Sequence, residues 1–192
     1  MANTKQGGAG NIIKLALVLL AVAAVIALVL GFVNSITEGP IKAYNDNKTR
    51  TAYANVLEAD AYEEVDPAAY AAANGENTIT LLSEAKDGSG DVIGYVAETE
   101  FSGAQGMITM VIGLDNDLTC TGIGVTEHSE TSGLGAKAAD PTDPFPQSMV
   151  GLTDGAKLSK DGGSVSAISG ATLTSRAVVT EIQTVIDAVK SL

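Results

Sequence analysis

The chain opens on a polar, glycine-containing stretch, residues 1–11, and then turns apolar. From Leu15 to Val33 run nineteen residues, LALVLLAVAAVIALVLGFV, without a charge or a strongly polar side chain, flanked by Lys14 and Asn34. At a rise of about 1.5 Å per residue, the run spans roughly 28 Å as a helix, close to the hydrocarbon thickness of a bilayer. It predicts one transmembrane helix over 12–33, after a disordered tail over 1–11. A cleaved signal sequence fits less well: its apolar part runs about 7–15 residues, and the small-x-small site Ala21-Val22-Ala23 would cut this run in half.

Beyond the span, Gly39-Pro40 predicts a break, followed by a fresh helix from Ile41 to Ala59 with Ile41, Tyr44, Ala52 and Val56 among its apolar positions. An alanine-rich stretch, Ala68 to Ala73, predicts a short helix ended by Asn74-Gly75. The pattern then shifts to β-branched runs, Thr78–Leu82, Val92–Phe101, Gly106–Leu114 and Leu118–Thr126, separated by turn-forming residues; the last two read as a hairpin. Gly133 to Gln147 holds three prolines and reads as surface loop. Lys157–Ser159 and Ser164–Ile168, around Asp161-Gly162-Gly163, predict a second hairpin. Val178, Val179, Ile182, Val185, Ile186 and Val189 then recur at three- and four-residue spacings, the stripe of an amphipathic helix that begins at Thr174 or Ser175 as N-cap. A sheet with helices segregated around it, in residues 34–192, is an α+β domain with no visible internal repeat.

Charge narrows the partners. After Lys14 come nine basic residues against all 23 acidic ones, so the domain carries about −14, and a nucleic-acid partner is excluded on electrostatic grounds. Lys5 and Lys14 on one side of the span face Lys42, Lys48 and Arg50 on the other, so the positive-inside count does not choose an orientation. Cys120 stands alone, which leaves no internal disulfide and no cysteine-ligated cluster from this chain.

The candidate chemistry lies just ahead of the last helix, in Ser169-Gly170-Ala171-Thr172-Leu173-Thr174-Ser175. Unpaired N–H groups and the partial positive charge at a helix start suit a phosphate, and a glycine lets it approach the backbone closely. The plain alternative is an N-capped helix after a glycine turn. A serine nucleophile lacks the G-x-S-x-G elbow and has only His128 as partner. Glu127, His128 and Glu130 make a sparse ligand set, and no metal is assigned. Tyr95 or Phe101 could stack on a flat ligand, although strand aromatics are more often core. Arg176 is either a phosphate neighbour or a solvated first-turn arginine.

The run S-G-A-T-L-T resembles the flavinylation motif of the FMN-binding subunits of two ion-translocating complexes, the Rnf ferredoxin:NAD oxidoreductase (its G subunit) and the sodium-pumping NADH:quinone oxidoreductase (its C subunit). Glu127-His128-Ser129-Glu130-Thr131-Ser132-Gly133-Leu134-Gly135 is similar to that family's E-H-x-E-T-x-G-L-G segment, with Ser132 where many members carry proline. The resemblance implies FMN esterified through its phosphate to Thr174, with Ser169, Gly170, Ala171, Thr172, Leu173 and Ser175 around the phosphate. It makes Glu130, Thr131, Leu134 and Gly135 a loop over the flavin ring. It further implies a separate flavin transferase for maturation, other membrane subunits of an Rnf-type complex as partners, a cytoplasmic tail at 1–11 and a domain outside the cytoplasm. The chain is then an electron carrier within a translocase and not a complete enzyme alone. The short chain favours the Rnf-type subunit. The alternatives are a free-standing extracytoplasmic flavoprotein of another chain, or an anchored scaffold without flavin.

Overall fold

The computed structural model describes residues 8–192, with side chains over 12–32 and 50–192. The chain divides into two compact units, Met1–Lys48 and Thr49–Leu192. Helix α1 runs Gly8–Val56. Within it Ile12–Phe32 is long and apolar enough to cross a membrane, and its side chains are exposed throughout. Of the expected tail, residues 1–7 lie outside the described residues, and Gly8 onward is helical. The expected break at Gly39-Pro40 is not there. An interior proline removes one hydrogen-bond donor and crowds the carbonyl four residues before it, yet its fixed φ is a helical value, and α1 continues through this position. The positions Ile41 and Tyr44 lie outside the described side chains. The helix ends at Val56, three residues before the expected Ala59.

The second unit is built on a five-stranded antiparallel meander in the order β1-β2-β3-β4-β5: Ala61–Glu64, Ile79–Lys86, Val92–Ser102, Met107–Asp115 and Cys120–His128. Strand alternation sorts the side chains of β4. Ile108, Met110, Ile112 and Leu114 join the core under helix α4 (Thr172–Lys190), where they meet Val178, Ile182, Val185 and Ile186, while Val111 faces the other side. On that other side the last turn of α1 is seated: Tyr53 and Val56 cluster with Ala85, Val96 and Val111. Glycines make room for it. A Cβ at Gly113 would lie 2.8 Å from the Val56 carbonyl oxygen, and Thr121 Oγ1 donates a hydrogen bond to that same oxygen. Tyr53 OH donates to Glu98 Oε1 at 3.0 Å.

One strand lies outside the expected pattern, and three expectations need correction. Strand β1, AYEE, is absent from the sequence pattern: four mostly exposed residues at a sheet edge carry no clear alternation, and Lys86–Glu63 pairing holds them to β2. The second hairpin is absent. Lys157 to Ile168 makes a 3-10 turn, Ser159–Asp161, ended by Gly162 in the left-handed region at φ +90°, and one parallel bridge, Leu158–Val165. The proline-rich loop contains a 3-10 turn, Gly135–Ala139, and a one-turn helix α3, Pro144–Gln147, capped by Asp143 accepting from Phe145 N at 2.9 Å. Helix α2 is Pro67–Tyr70, capped by Asp66, shorter than the expected Ala68–Ala73.

Candidate functional site

After His128 the chain leaves the sheet, and Glu130 folds back under it. The Glu130 backbone N–H donates to His128 Nδ1 at 3.2 Å. The Glu130 side chain is buried, 9 % exposed, and its carboxylate is closely held. Oε1 accepts from the N–H groups of Ala104 at 2.8 Å and Gln105 at 3.0 Å in the β3–β4 turn. Oε2 accepts from Thr174 Oγ1 at 2.8 Å. Gly103 and Gly135 form the cradle: a Cβ at Gly103 would run into Oε1, and one at Gly135 into Oε2. No other residue type fits these two positions with Glu130 in place.

Helix α4 begins at Thr172, with Ala171 as N-cap and no side-chain cap. The expectation that Thr174 or Ser175 caps the helix is therefore corrected. Both lie in its first turn with 0 % exposure, their hydroxyls drawn inward. Ser175 Oγ accepts from Ile168 N at 3.0 Å and donates to Ala171 O at 2.9 Å, tying the entry of the motif to the helix. Gly170 is left-handed at φ +79°, and a Cβ there would lie 3.1 Å from Leu134 Cδ2. So the structure brings Glu130, Leu134, Gly135, Gly170 and Thr174 together. Ser169 and Gly170 are exposed, Leu173 is 65 % exposed and Leu134 41 %, and Thr172 Oγ1 accepts from Lys160 Nζ at 3.4 Å. Thr131 is exposed, its carbonyl accepting from Leu134 N and Ala136 N.

Beside Ser169 opens a cavity of about 430 Å³, lined by Lys137, Phe145, Ser148, Ser164, Ser166 and others. Neither these residues nor the turn holding Glu130 can be found by sequence reasoning. Gly103 to Gln105 read only as a turn, and the serines carry no spacing signal.

Other candidates fall elsewhere. Arg176 is a bidentate partner of Asp161, at 2.9 and 3.1 Å, and holds that carboxyl below its usual range. Phe101 is buried in the main core, and Tyr95 packs against it. Burial pushes the Cys120 thiol up to about 12. Among the described residues, no three His, Cys, Asp or Glu side chains gather as metal ligands.

An FMN-binding domain family matches residues 103–187. The chain is 34 % identical, over 94 % of its length and 96 % of the relative's, to the G subunit of the ion-translocating oxidoreductase complex of Methanosarcina acetivorans. The chain belongs to this G-subunit family. Another relative, the G subunit of the Na(+)-translocating ferredoxin:NAD(+) oxidoreductase complex of Acetobacterium woodii, is 32 % identical, with 94 % of this chain and 93 % of that one covered. The solved C subunit of the Na(+)-translocating NADH-quinone reductase of Parabacteroides distasonis shares the fold, with a TM-score of 0.50 and 21 % identity over 76 % of this chain and 82 % of that one.

In this family member the matched span opens at Gly103, the first glycine of the Glu130 cradle, and takes in the Glu130 loop and the start of α4. The residues suit a flavin phosphate in the chemistry they offer. An uncapped helix start leaves N–H donors, Gly170 gives close approach, and Lys160 brings a cation to Thr172. Against this stands the Glu130 carboxylate, a negative charge 2.8 Å from Thr174 Oγ1.

Proposed function

We propose that this chain is the membrane-anchored flavin subunit of an Rnf-type ion-translocating oxidoreductase complex, with FMN held by a phosphoester to Thr174. Bound FMN supplies one- and two-electron transfer. The chain's own part is to fix the phosphate at the start of α4, where helix N–H groups favour an anion, and to leave exposed Leu173 and Leu134 as apolar contacts for a flat ring. Ile12–Phe32 anchors the unit among the other membrane subunits, 12–33 being the span and 34–192 the domain, which lies outside the cytoplasm. A separate flavin transferase makes the ester.

The observation that carries this reading is a threonine hydroxyl in the first turn of an uncapped helix, inside the matched FMN-binding span. Produced beside a flavin transferase, the chain is expected to give a fluorescent band after denaturing electrophoresis and a mass gain of one FMN less one water. Thr174→Ala should abolish both, and Thr172→Ala should keep them. A label that survives Thr174→Ala but is lost with Thr172→Ala would move the attachment. A wild type without label would leave a non-covalent site or none.

A further inference from the structure

Charge is not spread evenly over the folded unit. Residues 58–117 hold thirteen acidic side chains and a single base, Lys86. The antiparallel strand order sends several of the acids to one end, where the β2–β3 and β4–β5 turns lie side by side. Asn116 Nδ2 donates to Val92 O at 2.9 Å, Gly94 pairs with Asp115, and a Cβ at Gly88 would lie 3.2 Å from Asp60 Oδ2. Asp60, Asp87, Asp91, Asp115 and Asp117 share this end. The opposite end carries the β3–β4 turn, joined to the Glu130 loop by the Ala104 and Gln105 hydrogen bonds, and the start of α4, where Gly170 meets Leu134. Met107, Leu134 and Leu173 are exposed here, three of the five large apolar side chains that the described residues of this unit leave to solvent. Three cations rim them. Lys137 lines the cavity beside Ser169, Lys160 reaches Thr172, and Lys157 shares a second cavity with Asp161 and Arg176. Lys86, Arg176 and Lys190 are tied up in ion pairs, whereas Lys137, Lys157 and Lys160 form none among the described residues. The carboxylates nearby are already engaged, Asp161 by Arg176 and Asp143 by Phe145 N.

We propose that this end is a docking surface for an electron-transfer protein that presents carboxylates around an apolar centre. The inference rests on the reading of the chain as an electron carrier. Opposite charges at the rim raise the encounter rate, and the exposed leucines and methionine supply the contact. The acidic turns at the far end repel the same partner, so it approaches one way round. A lipid surface fits less well. Recognition of anionic headgroups takes clusters of about four to eight Lys or Arg side chains, and the acidic unit as a whole is repelled by such a surface. A transient protein encounter needs less, since interfaces of that kind bury under about 1,200 Å².

Plastocyanin, a small acidic one-electron oxidant, serves as the probe. The flavin-loaded full chain in detergent is reduced and mixed with the oxidised probe, each productive encounter passing one electron from flavin to copper. Attraction at the docking end makes the rate fall as salt is added, whereas the net charge of the chain by itself predicts repulsion and a rate that rises. Lys137→Glu with Lys157→Glu should slow the reaction about ten-fold at low salt and invert its salt dependence, with flavin content and thermal unfolding unchanged. Carbodiimide coupling, which joins a lysine amine to a carboxylate in contact with it, needs no flavin. It should link the probe to Lys137, Lys157 or Lys160 and not to Lys86 or Lys190. A wild-type rate that rises with salt, kinetics unmoved by the double reversal, or cross-links centred elsewhere would overturn the proposal. In nanodiscs, acetylation of the three lysines should be equal in phosphatidylcholine and in phosphatidylglycerol. Protection by phosphatidylglycerol alone would assign them to lipid and overturn it too. A chain that carries no flavin would take down the electron-carrier reading, and the cross-links alone would then decide the surface.

Discussion

Glu181 lies two turns beyond Thr174 on the same helix, 4 % exposed, with one carboxylate oxygen unpaired beside the unpaired Thr78 hydroxyl. Burial pushes its carboxyl up from 4.5 to about 7, and the charge of Glu76 adds to the rise. A raised folded value means that the folded chain holds this proton more tightly than the unfolded one. The stability is therefore full below the ordinary carboxylate range and falls as pH rises toward and through 7. Between about pH 5 and about pH 8 this one group should cost about 2–3 kcal/mol. Glu181→Gln should flatten that slope, leaving the protein clearly more stable than wild type at the higher pH and little changed at the lower. Equal pH slopes in thermal unfolding of the two proteins would show that Glu181 is not the titrating group.

At the scale of elements, the contact most exposed to test is the seat of α1 on the sheet. A side chain at Gly113 would meet Thr121 Oγ1 at 2.5 Å and the Val56 carbonyl at 2.8 Å, and a backbone carbonyl cannot rotate aside. Gly113→Ala should therefore lower stability by about 1–3 kcal/mol, the usual cost of overpacking, despite alanine's better strand propensity. Urea unfolding measures it; an unchanged midpoint would mean that α1 shifts freely on that face. The long strands are legible in the sequence because their cores are β-branched runs between Asp-Gly, Gly-Ala and Asp-Asn turns, and α4 because six apolar residues keep helical spacing. Strand β1 is not, since its place is set by pairing with β2 and by Lys86, which no local pattern encodes. The same holds at the site. The S-G-A-T-L-T run and the Glu127–Gly135 segment can be read, but not that Glu130 reaches Thr174 across 44 residues of chain, because a side-chain hydrogen bond leaves no periodicity. The helix start differs from expectation for a related reason: Thr174 and Ser175 are good caps by type, yet tertiary partners draw both hydroxyls inward.

The whole molecule pairs a lipid-suited helix with a strongly acidic unit, and the division falls at Lys48 and Thr49. A chain beginning at Thr49 keeps Tyr53 and Val56 on the sheet while losing the exposed apolar span, so it should partition into the soluble fraction with its β-rich circular dichroism intact. It should also take up flavin beside the transferase yet cease to co-purify with membrane subunits. Retention of those subunits without the helix would move the principal interface onto the folded unit. The complete concealment of Thr174 bears on the life history of such a protein. If the acceptor is sealed when the chain reaches its resting shape, loading occurs either before the shape closes or during brief local openings. In the second case, the observed loading rate is the chemical rate multiplied by the open fraction. Every change that tightens this region then slows maturation by the same factor. Selection for a durable protein and selection for a promptly charged one would pull against each other at the first turn of a single helix.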